Sequence, residues 1–200
     1  MKRLVRTAAL FAAVAAFGTV ASCTNQAPLF LVFEKGKFGY ADASGKTVVA
    51  AAYDQAAEFN EGLALVFQNG KAGFIDRTGK VVLAPTWQTA GTFSEGVASA
   101  TQDGKVGYID KTGKYVIPPT WDYGDAFADG LAVVAKGGKF GFIDLSGKVI
   151  VAPEYDLATP FSEGLAIVVR ADLGGYIDKT GKVVLPVQYT VATPFHDGLA

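Results

Sequence analysis

The chain has 200 residues, half of them hydrophobic, with 24 glycines and a formal net charge of −1. This hydrophobic share supplies material for a core and argues against an intrinsically disordered chain. The charge balance argues against binding nucleic acid or anionic lipid through a positive surface.

The N-terminus has the order of a secretory signal. Lys2, Arg3 and Arg6 precede an apolar or small stretch over residues 8–20. That stretch is too short for a membrane-spanning helix, which needs roughly 20 apolar residues. We therefore expect residues 1–22 to be a signal peptide that is removed.

The segment Val20-Ala21-Ser22-Cys23 resembles the lipobox of bacterial lipoproteins, in which cleavage precedes a cysteine that is then acylated. Cys23 is the only cysteine, so it cannot form an internal disulfide. An ordinary signal peptide with a spare thiol is the alternative. We predict lipidation at Cys23 and a short tether over 23–28.

The residue after that cysteine bears on localisation. Thr24 in place of an aspartate resembles the pattern for outer-membrane sorting in two-membraned bacteria. No acidic run follows Cys23, which favours the periplasmic side of the outer membrane. Removal of residues 1–22 leaves 15 Lys and Arg against 19 Asp and Glu.

From Leu29 onward the chain repeats every 34 residues. The clearest marker is a glycine in each copy, at Gly39, Gly73, Gly107, Gly141 and Gly175. The units are 29–62, 63–96, 97–130, 131–164 and 165–198, with the start of a sixth at 199–200. A 34-residue period also belongs to tetratricopeptide helices, but the fixed glycines and runs of valine oppose helix.

Each unit is predicted to be a three-stranded antiparallel meander. In the second unit, strands over 63–67, 72–76 and 81–84 are separated by the turns 68–71 and 77–80. The fold class is therefore all-β, with the units of residues 29–200 stacked as an open solenoid-like array. A β-propeller-like closure is the alternative. Because the sequence stops two residues into a sixth unit, we expect a longer array, and a fifth unit that ends unprotected is the alternative.

Two repeated polar residues flank the second turn. Each aspartate is expected to cap its turn by accepting backbone N–H groups, rather than to form a metal row. Each lysine is expected to be solvated. The aspartates are Asp42, Asp76, Asp110, Asp144 and Asp178, and the lysines are Lys46, Lys80, Lys114, Lys148 and Lys182.

Two aromatic ladders occupy the connecting segments. The phenylalanines Phe59, Phe93, Phe127, Phe161 and Phe195 are predicted to fill the interior. The candidate ligand-contact residues are Tyr53, Trp87, Trp121, Tyr155 and Tyr189. Their rings could stack between units or present a face to a sugar or peptide.

A short phrase such as Ser94-Glu95-Gly96 follows each phenylalanine. It is predicted to be a one-turn bend with a serine cap and a glycine stop. The only histidine, His196, takes the slot of Ser94 in its unit, which argues against a catalytic role.

Two phrases together resemble the WG-repeat family of bacterial proteins. They are Lys-x-Gly-[Phe/Tyr]-Ile-Asp-x-[Thr/Ser]-Gly-Lys-x-Val and Phe-[Ser/Asn/His]-[Glu/Asp]-Gly-Leu-Ala, and they cover about residues 29–200. The tryptophan that names the family is replaced by Phe38, Ala72, Val106, Phe140 and Gly174. The resemblance implies a β-repeat module for binding or structure, with no defined reaction.

We expect no catalysis, no cofactor and no metal, because no nucleophile elbow, His-Glu-x-x-His, Cys/His cluster or phosphate loop occurs. The favoured function is a lipid-anchored envelope binding or scaffold protein, with another envelope protein as partner and no nucleic acid. Residues that vary on the constant frame, at 55–58, 89–92 and 123–126, would tune recognition. A glycan-binding or adhesin module using the Tyr/Trp ladder is the alternative, and a non-catalytic part of a longer enzyme is a third.

Overall fold

The computed structural model describes residues 27–190 and 192–193, which form β-strands, turns and short irregular segments. Within this part of the chain there is no α-helix, and so no helix long and apolar enough to cross a membrane. The strands form five antiparallel sheets of three or four strands that follow one another along the chain. The prediction of tandem all-β meanders is confirmed.

The strand bounds repeat from sheet to sheet. Sheet 1 contains β1 (Leu29–Glu34), β2 (Lys37–Asp42) and β3 (Thr47–Tyr53). Sheet 2 contains β4 (Gln55–Ala56), β5 (Leu63–Gln68), β6 (Lys71–Asp76) and β7 (Val81–Trp87). Sheet 3 contains β8 (Val97–Gln102), β9 (Lys105–Asp110) and β10 (Tyr115–Trp121). Sheet 4 contains β11 (Tyr123–Gly124), β12 (Leu131–Lys136), β13 (Lys139–Asp144) and β14 (Val149–Tyr155). Sheet 5 contains β15 (Leu157–Ala158), β16 (Leu165–Arg170), β17 (Leu173–Asp178) and β18 (Val183–Tyr189).

The structure adds a short first strand to the predicted three-stranded meander. β4 pairs with β5 in the register Gln55↔Phe67 and Ala56↔Val66, and β11 and β15 repeat the arrangement. In sheet 3 the equivalent contact is a single bridge between Ala90 and Ala100. The chain thus leaves one sheet at Tyr53 and enters the next at Gln55. Sheets and sequence units share the 34-residue period but differ in phase, since sheet 2 begins at Gln55 and the second unit at Leu63.

The hydrophobic cores lie between consecutive sheets. In β5, Leu63 and Leu65 pack toward sheet 3, whereas Ala64 and Val66 pack toward sheet 1. Side chains alternate across a strand, so a central strand is buried on both faces when a sheet stands on each side. In the described part of the chain, no hydrophobic cluster joins sheet 1 to sheet 5, which is consistent with an open array.

The marker glycine is explained by a close approach of two strands. The register between β9 and β10 shifts on both sides of Ile117, so the third strand bulges toward Gly107. A Cβ on Gly107 would lie 2.5 Å from the Ile117 carbonyl oxygen and 2.6 Å from the Pro119 nitrogen. The same bulge accommodates proline in an edge strand, where its missing N–H breaks no ladder.

The predicted serine-capped bend after each phenylalanine is wrong. Asn60 and Leu63 exchange both backbone hydrogen bonds, at 2.9 and 3.0 Å, across a two-residue hairpin turn. Glu61 and Gly62 both have positive φ, 50° and 87°, as a type I′ turn requires. Because β4 and β5 are antiparallel partners, this segment closes a hairpin. In the second unit the hydroxyl of Ser94 donates to the Phe127 carbonyl, at 2.8 Å, instead of capping a helical turn.

Candidate functional site

The Tyr/Trp ladder lies directly across the strand pair from the position where the resemblance places a tryptophan. Ala72 pairs with Trp87, Val106 with Trp121 and Phe140 with Tyr155. The second strand carries a smaller residue, Ala72 or Val106, opposite both tryptophans.

Most rings of this ladder are used in packing. Tyr53, Trp121 and Tyr155 are 7%, 8% and 4% exposed, whereas Trp87 is half-buried. Tyr189 is 40% exposed and lies next to residues outside the described part. The buried rings leave little face for a ligand, so Trp87 is the internal ladder residue with an accessible ring.

Cations cover two of the buried rings. Lys136 Nζ lies 6.0 Å from the centroid of Trp121, and Arg170 Cζ lies 5.0 Å from that of Tyr155. Both distances suit cation–π contacts. The residue at the same offset from Trp87 is Gln102, which carries no charge.

A set of aspartates that the sequence analysis missed fastens neighbouring sheets together. Asp54 stands where the chain passes from sheet 1 to sheet 2, and it accepts a hydrogen bond from Lys37 of sheet 1. Its other carboxylate oxygen accepts the Asn69 N–H of sheet 2, at 2.8 Å. We call this arrangement the junction clamp.

The junction clamp recurs with the repeat. Asp122 joins Lys105 to the Gly137 N–H, which lies 2.7 Å away, and Asp156 joins Lys139 to the Ala171 N–H at 2.8 Å. One pattern in the sequence could have predicted the junction clamp. In three units a Lys and an Asp are 17 residues apart, and the Asp directly follows an aromatic residue. At the remaining described junction the Asp is replaced by Gln88, whose amide oxygen accepts the Gly104 N–H at 3.0 Å.

The clamp carboxylates are acidic groups stabilised in their charged form. The hydrogen bond from Lys105, then that from the Gly137 N–H, holds the pKa of Asp122 below its ordinary value. The pKa values of Asp54 and Asp156 are lowered by the same kind of contacts, with the lysine hydrogen bond as the largest cause. These carboxylates are therefore suited to fastening the sheets and not to proton transfer near neutral pH.

The turn-capping prediction for the second aspartate ladder is confirmed. Asp110 Oδ1 accepts the Thr112 N–H at 2.8 Å, the Thr112 hydroxyl at 2.6 Å and the Lys114 N–H at 3.1 Å. The hydroxyl hydrogen bond is the main cause of the lowered pKa of Asp110. Gly113 follows with a φ of 85°. The other four aspartates, Asp42, Asp76, Asp144 and Asp178, cap their turns in the same way.

The phenylalanine ladder is also used in the fold. Phe93, Phe127 and Phe161 are buried, which confirms the core prediction for them, and Phe59 is half-buried. Each packs on the aromatic residue that follows the marker glycine, as Phe93 does on Phe74 at 4.8 Å. Where that residue is tyrosine, its hydroxyl donates to a loop carbonyl, and burial raises the pKa of Tyr40 and Tyr108.

Residues that differ between units form a second feature. Gln55, Tyr123 and Leu157 occupy the same exposed place at the start of the short strand in sheets 2, 4 and 5. Thr89 holds the equivalent exposed position in sheet 3, next to the Ala90 bridge. Tyr123 is 45% exposed and Leu157 is 48% exposed. We call these four residues the variable row.

Several sequence predictions fall on undescribed residues. Cys23, Phe195 and His196 lie outside the described residues. Within residues 27–190 and 192–193, no three His, Cys, Asp or Glu side chains are grouped to hold a metal ion.

The chain belongs to the WG containing repeat family. The family's model matches five successive segments, residues 38–71, 73–105, 107–140, 140–172 and 175–200. A comparison with curated proteins gives no match.

Solved structures resemble this chain at low sequence identity. Hsv2 of Kluyveromyces lactis is 12% identical, with a TM-score of 0.53 over 78% of this chain and 59% of that chain. BamB from Moraxella catarrhalis is 15% identical, with a TM-score of 0.48 over 78% of this chain and 56% of that chain. The chain thus spans less than two thirds of either protein. A protein of unknown function from Bacteroides caccae is 15% identical, with a TM-score of 0.38 over 79% of this chain and 77% of that chain.

Proposed function

We propose that this protein is a lipid-anchored binding scaffold of the bacterial cell envelope that recognises another protein through the variable row. The observation that carries the proposal is the contrast between a repeated frame and unrepeated residues at one exposed place. The turn aspartates, marker glycines and phenylalanines are all engaged in the fold. Recognition is then left to residues that change from sheet to sheet, as in other repeat proteins.

The composition of the variable row favours a protein partner. Tyr123 and Leu157 hold corresponding positions in adjacent sheets, and both expose nearly half of a large apolar side chain. Exposed aromatic and aliphatic groups of this size are typical anchors of protein interfaces. Gln55 and Thr89 extend the same row with polar groups, as expected toward the rim of an interface.

The test of this interface is a pull-down with a matched control. Envelope extract is passed over the immobilised row variant Tyr123→Ala/Leu157→Ala and over the control variant Val116→Ala. Val116 is 44% exposed and lies outside the variable row, so the control also removes an exposed apolar group. We expect one stoichiometric partner, retained by Val116→Ala and reduced at least tenfold by the row variant. Equal recovery by both variants would refute the assignment to the variable row.

The lipid anchor is tested separately. Labelled palmitate should be incorporated into the wild-type protein in a bacterial host and not into Cys23→Ser. Equal labelling of the two would exclude acylation at this residue. The lipobox resemblance at 20–23 supports this part of the proposal, and Thr24 supports placement in the outer membrane facing the periplasm.

The proposal assigns no reaction and no cofactor to the chain. Glycan binding along the whole Tyr/Trp ladder is the second candidate, but burial of Tyr53, Trp121 and Tyr155 disfavours a continuous sugar-binding surface.

A further inference from the structure

The junction between sheets 2 and 3 lacks the clamp found at the others. Gln88 stands in the place of the clamp aspartate, and it keeps the hydrogen bond to the next hairpin through Gly104 N–H. An amide offers no negative charge to the lysine of its own sheet. Lys71, the counterpart of Lys37 and Lys105, accordingly has no ion pair among the described residues.

The same junction also leaves its aromatic ring uncapped. Trp121 and Tyr155 are covered by Lys136 and Arg170, but Trp87 is followed at that offset by the neutral Gln102. Trp87 remains half-buried. Tyr53 is likewise followed at that offset by a neutral residue, Gln68, but Tyr53 is buried. The junction between sheets 2 and 3 therefore combines a clamp lysine that is unpaired within the described part of the chain with an internal ladder ring that is only half-buried.

A groove of about 370 Å³ lies at this junction. Its walls carry Lys71, Trp87, Gln88, Thr101, Gln102 and Asp103. The volume suits a small molecule or a chain end rather than the body of a folded protein.

The chemistry of the walls is that of a carbohydrate site with one cation. An indole face stacks on the C–H face of a sugar ring. The side-chain amides of Gln88 and Gln102 supply donors and acceptors for hydroxyl groups. The ammonium group of Lys71 is free to pair with a carboxylate, and the carboxylate of Asp103 at the rim disfavours a ligand that carries several negative charges.

We propose that this groove binds an acidic sugar residue, with its ring on Trp87 and its carboxylate on Lys71. The groove borders the variable row at Thr89, whose hydroxyl lies 2.7 Å from that of the wall residue Thr101. It depends on none of the residues changed in the row variant Tyr123→Ala/Leu157→Ala, so the two proposals are tested by different substitutions. The three junctions with an intact clamp serve as internal controls, because their lysines are already paired.

The experiment uses NMR of the ¹⁵N-labelled protein, whose two tryptophans give two indole N–H signals. Methyl β-glucuronide is the probe, methyl β-glucoside is the matched neutral sugar, and N-acetylglutamate supplies carboxylates without a sugar ring. We expect a saturable shift of the Trp87 signal by the glucuronide with a Kd on the order of 1 mM, as for a small ligand in an open site. The Trp121 signal should not move, and the other two compounds should bind at least fivefold more weakly.

Two variants and one control complete the test. Lys71→Met removes the cation, and Gln88→Asp supplies the missing clamp carboxylate that would draw Lys71 away from a ligand. Each should weaken glucuronide binding at least fivefold, whereas Lys105→Met at the next junction should leave it unchanged. The proposal is overturned by no saturable shift at about 20 mM glucuronide, by equal shifts of both tryptophans, or by equal binding of the glucoside. Equal binding of N-acetylglutamate would likewise overturn it, because the groove would then recognise a carboxylate without a sugar.

Discussion

Replacing the marker glycine of the third unit with alanine tests why this residue repeats. The new Cβ of Gly107→Ala would stand 2.5 Å from the Ile117 carbonyl oxygen and 2.6 Å from the Pro119 nitrogen. Both are backbone atoms, which cannot turn away as a flexible side chain can. This is about 1 Å short of an ordinary van der Waals contact, so the bulge must open. Overpacking costs about 1–3 kcal/mol, and each ladder hydrogen bond lost by opening adds about 0.5–1.5 kcal/mol. We expect a destabilisation of about 3–4 kcal/mol.

The control is Gly104→Ala in the hairpin turn of the same sheet. Gly104 has a φ of 74° and open space around it. Gly104→Ala should therefore lower the free energy of unfolding only through the left-handed backbone that alanine must adopt, by about 1–2 kcal/mol. Both variants change the entropy of the unfolded chain equally. Urea unfolding followed by circular dichroism gives the free energies of unfolding, and unchanged m-values validate the comparison. If Gly107→Ala costs no more than Gly104→Ala, the close approach is not the reason for the glycine.

Three further predictions concern the core, the turns and acid. Phe93→Ala should lower the free energy of unfolding by about 3–5 kcal/mol, and Phe33→Ala, at a site 64% exposed, by less than about 1 kcal/mol; similar urea midpoints would refute the core assignment. Asp110→Ala should lower the urea midpoint and Asp110→Asn should recover part of it, since an amide oxygen still accepts hydrogen bonds; no loss with alanine would contradict the capping role. The capping and clamp aspartates have lowered pKa values in the folded protein. They therefore stabilise the folded state at pH values above about 4, the ordinary pKa of the carboxyl group, and this stabilisation is lost as the pH falls through the lowered pKa values. The urea midpoint should be level from about pH 7 to 5 and fall below about pH 4; a midpoint that rises on acidification would oppose this sign.

Local features were predictable from the sequence because their causes are local. The turn at Asn69 and Gly70 needs positive φ at both residues, 53° and 73°, and this residue pair is a known signature of such turns. The capping by Asp110 likewise depends on residues two and four positions away. Short-range chemistry of this kind is complete within one repeat.

The junction features were harder to predict because their partners lie in different sheets. β4 has two residues and no alternating pattern of its own, and it exists because β5 offers it an edge. The Asp54 clamp needs Lys37 from one sheet and the Asn69 N–H from the next, so its role appears only when both are placed. For the same reason, Trp87 and Trp121 were equivalent as ligand-contact candidates in the sequence, although Trp121 is buried and Trp87 only half-buried.

The alternating faces of a central strand have a consequence for how a change spreads through this array. Leu65 and Val66 are neighbours in β5, yet one contributes to the core shared with sheet 3 and the other to the core shared with sheet 1. Substitutions at two adjacent positions therefore affect cores on opposite sides of the sheet. A cavity at Leu65 loosens the downstream neighbour first and one at Val66 the upstream neighbour, so paired substitutions could map the order in which the sheets separate.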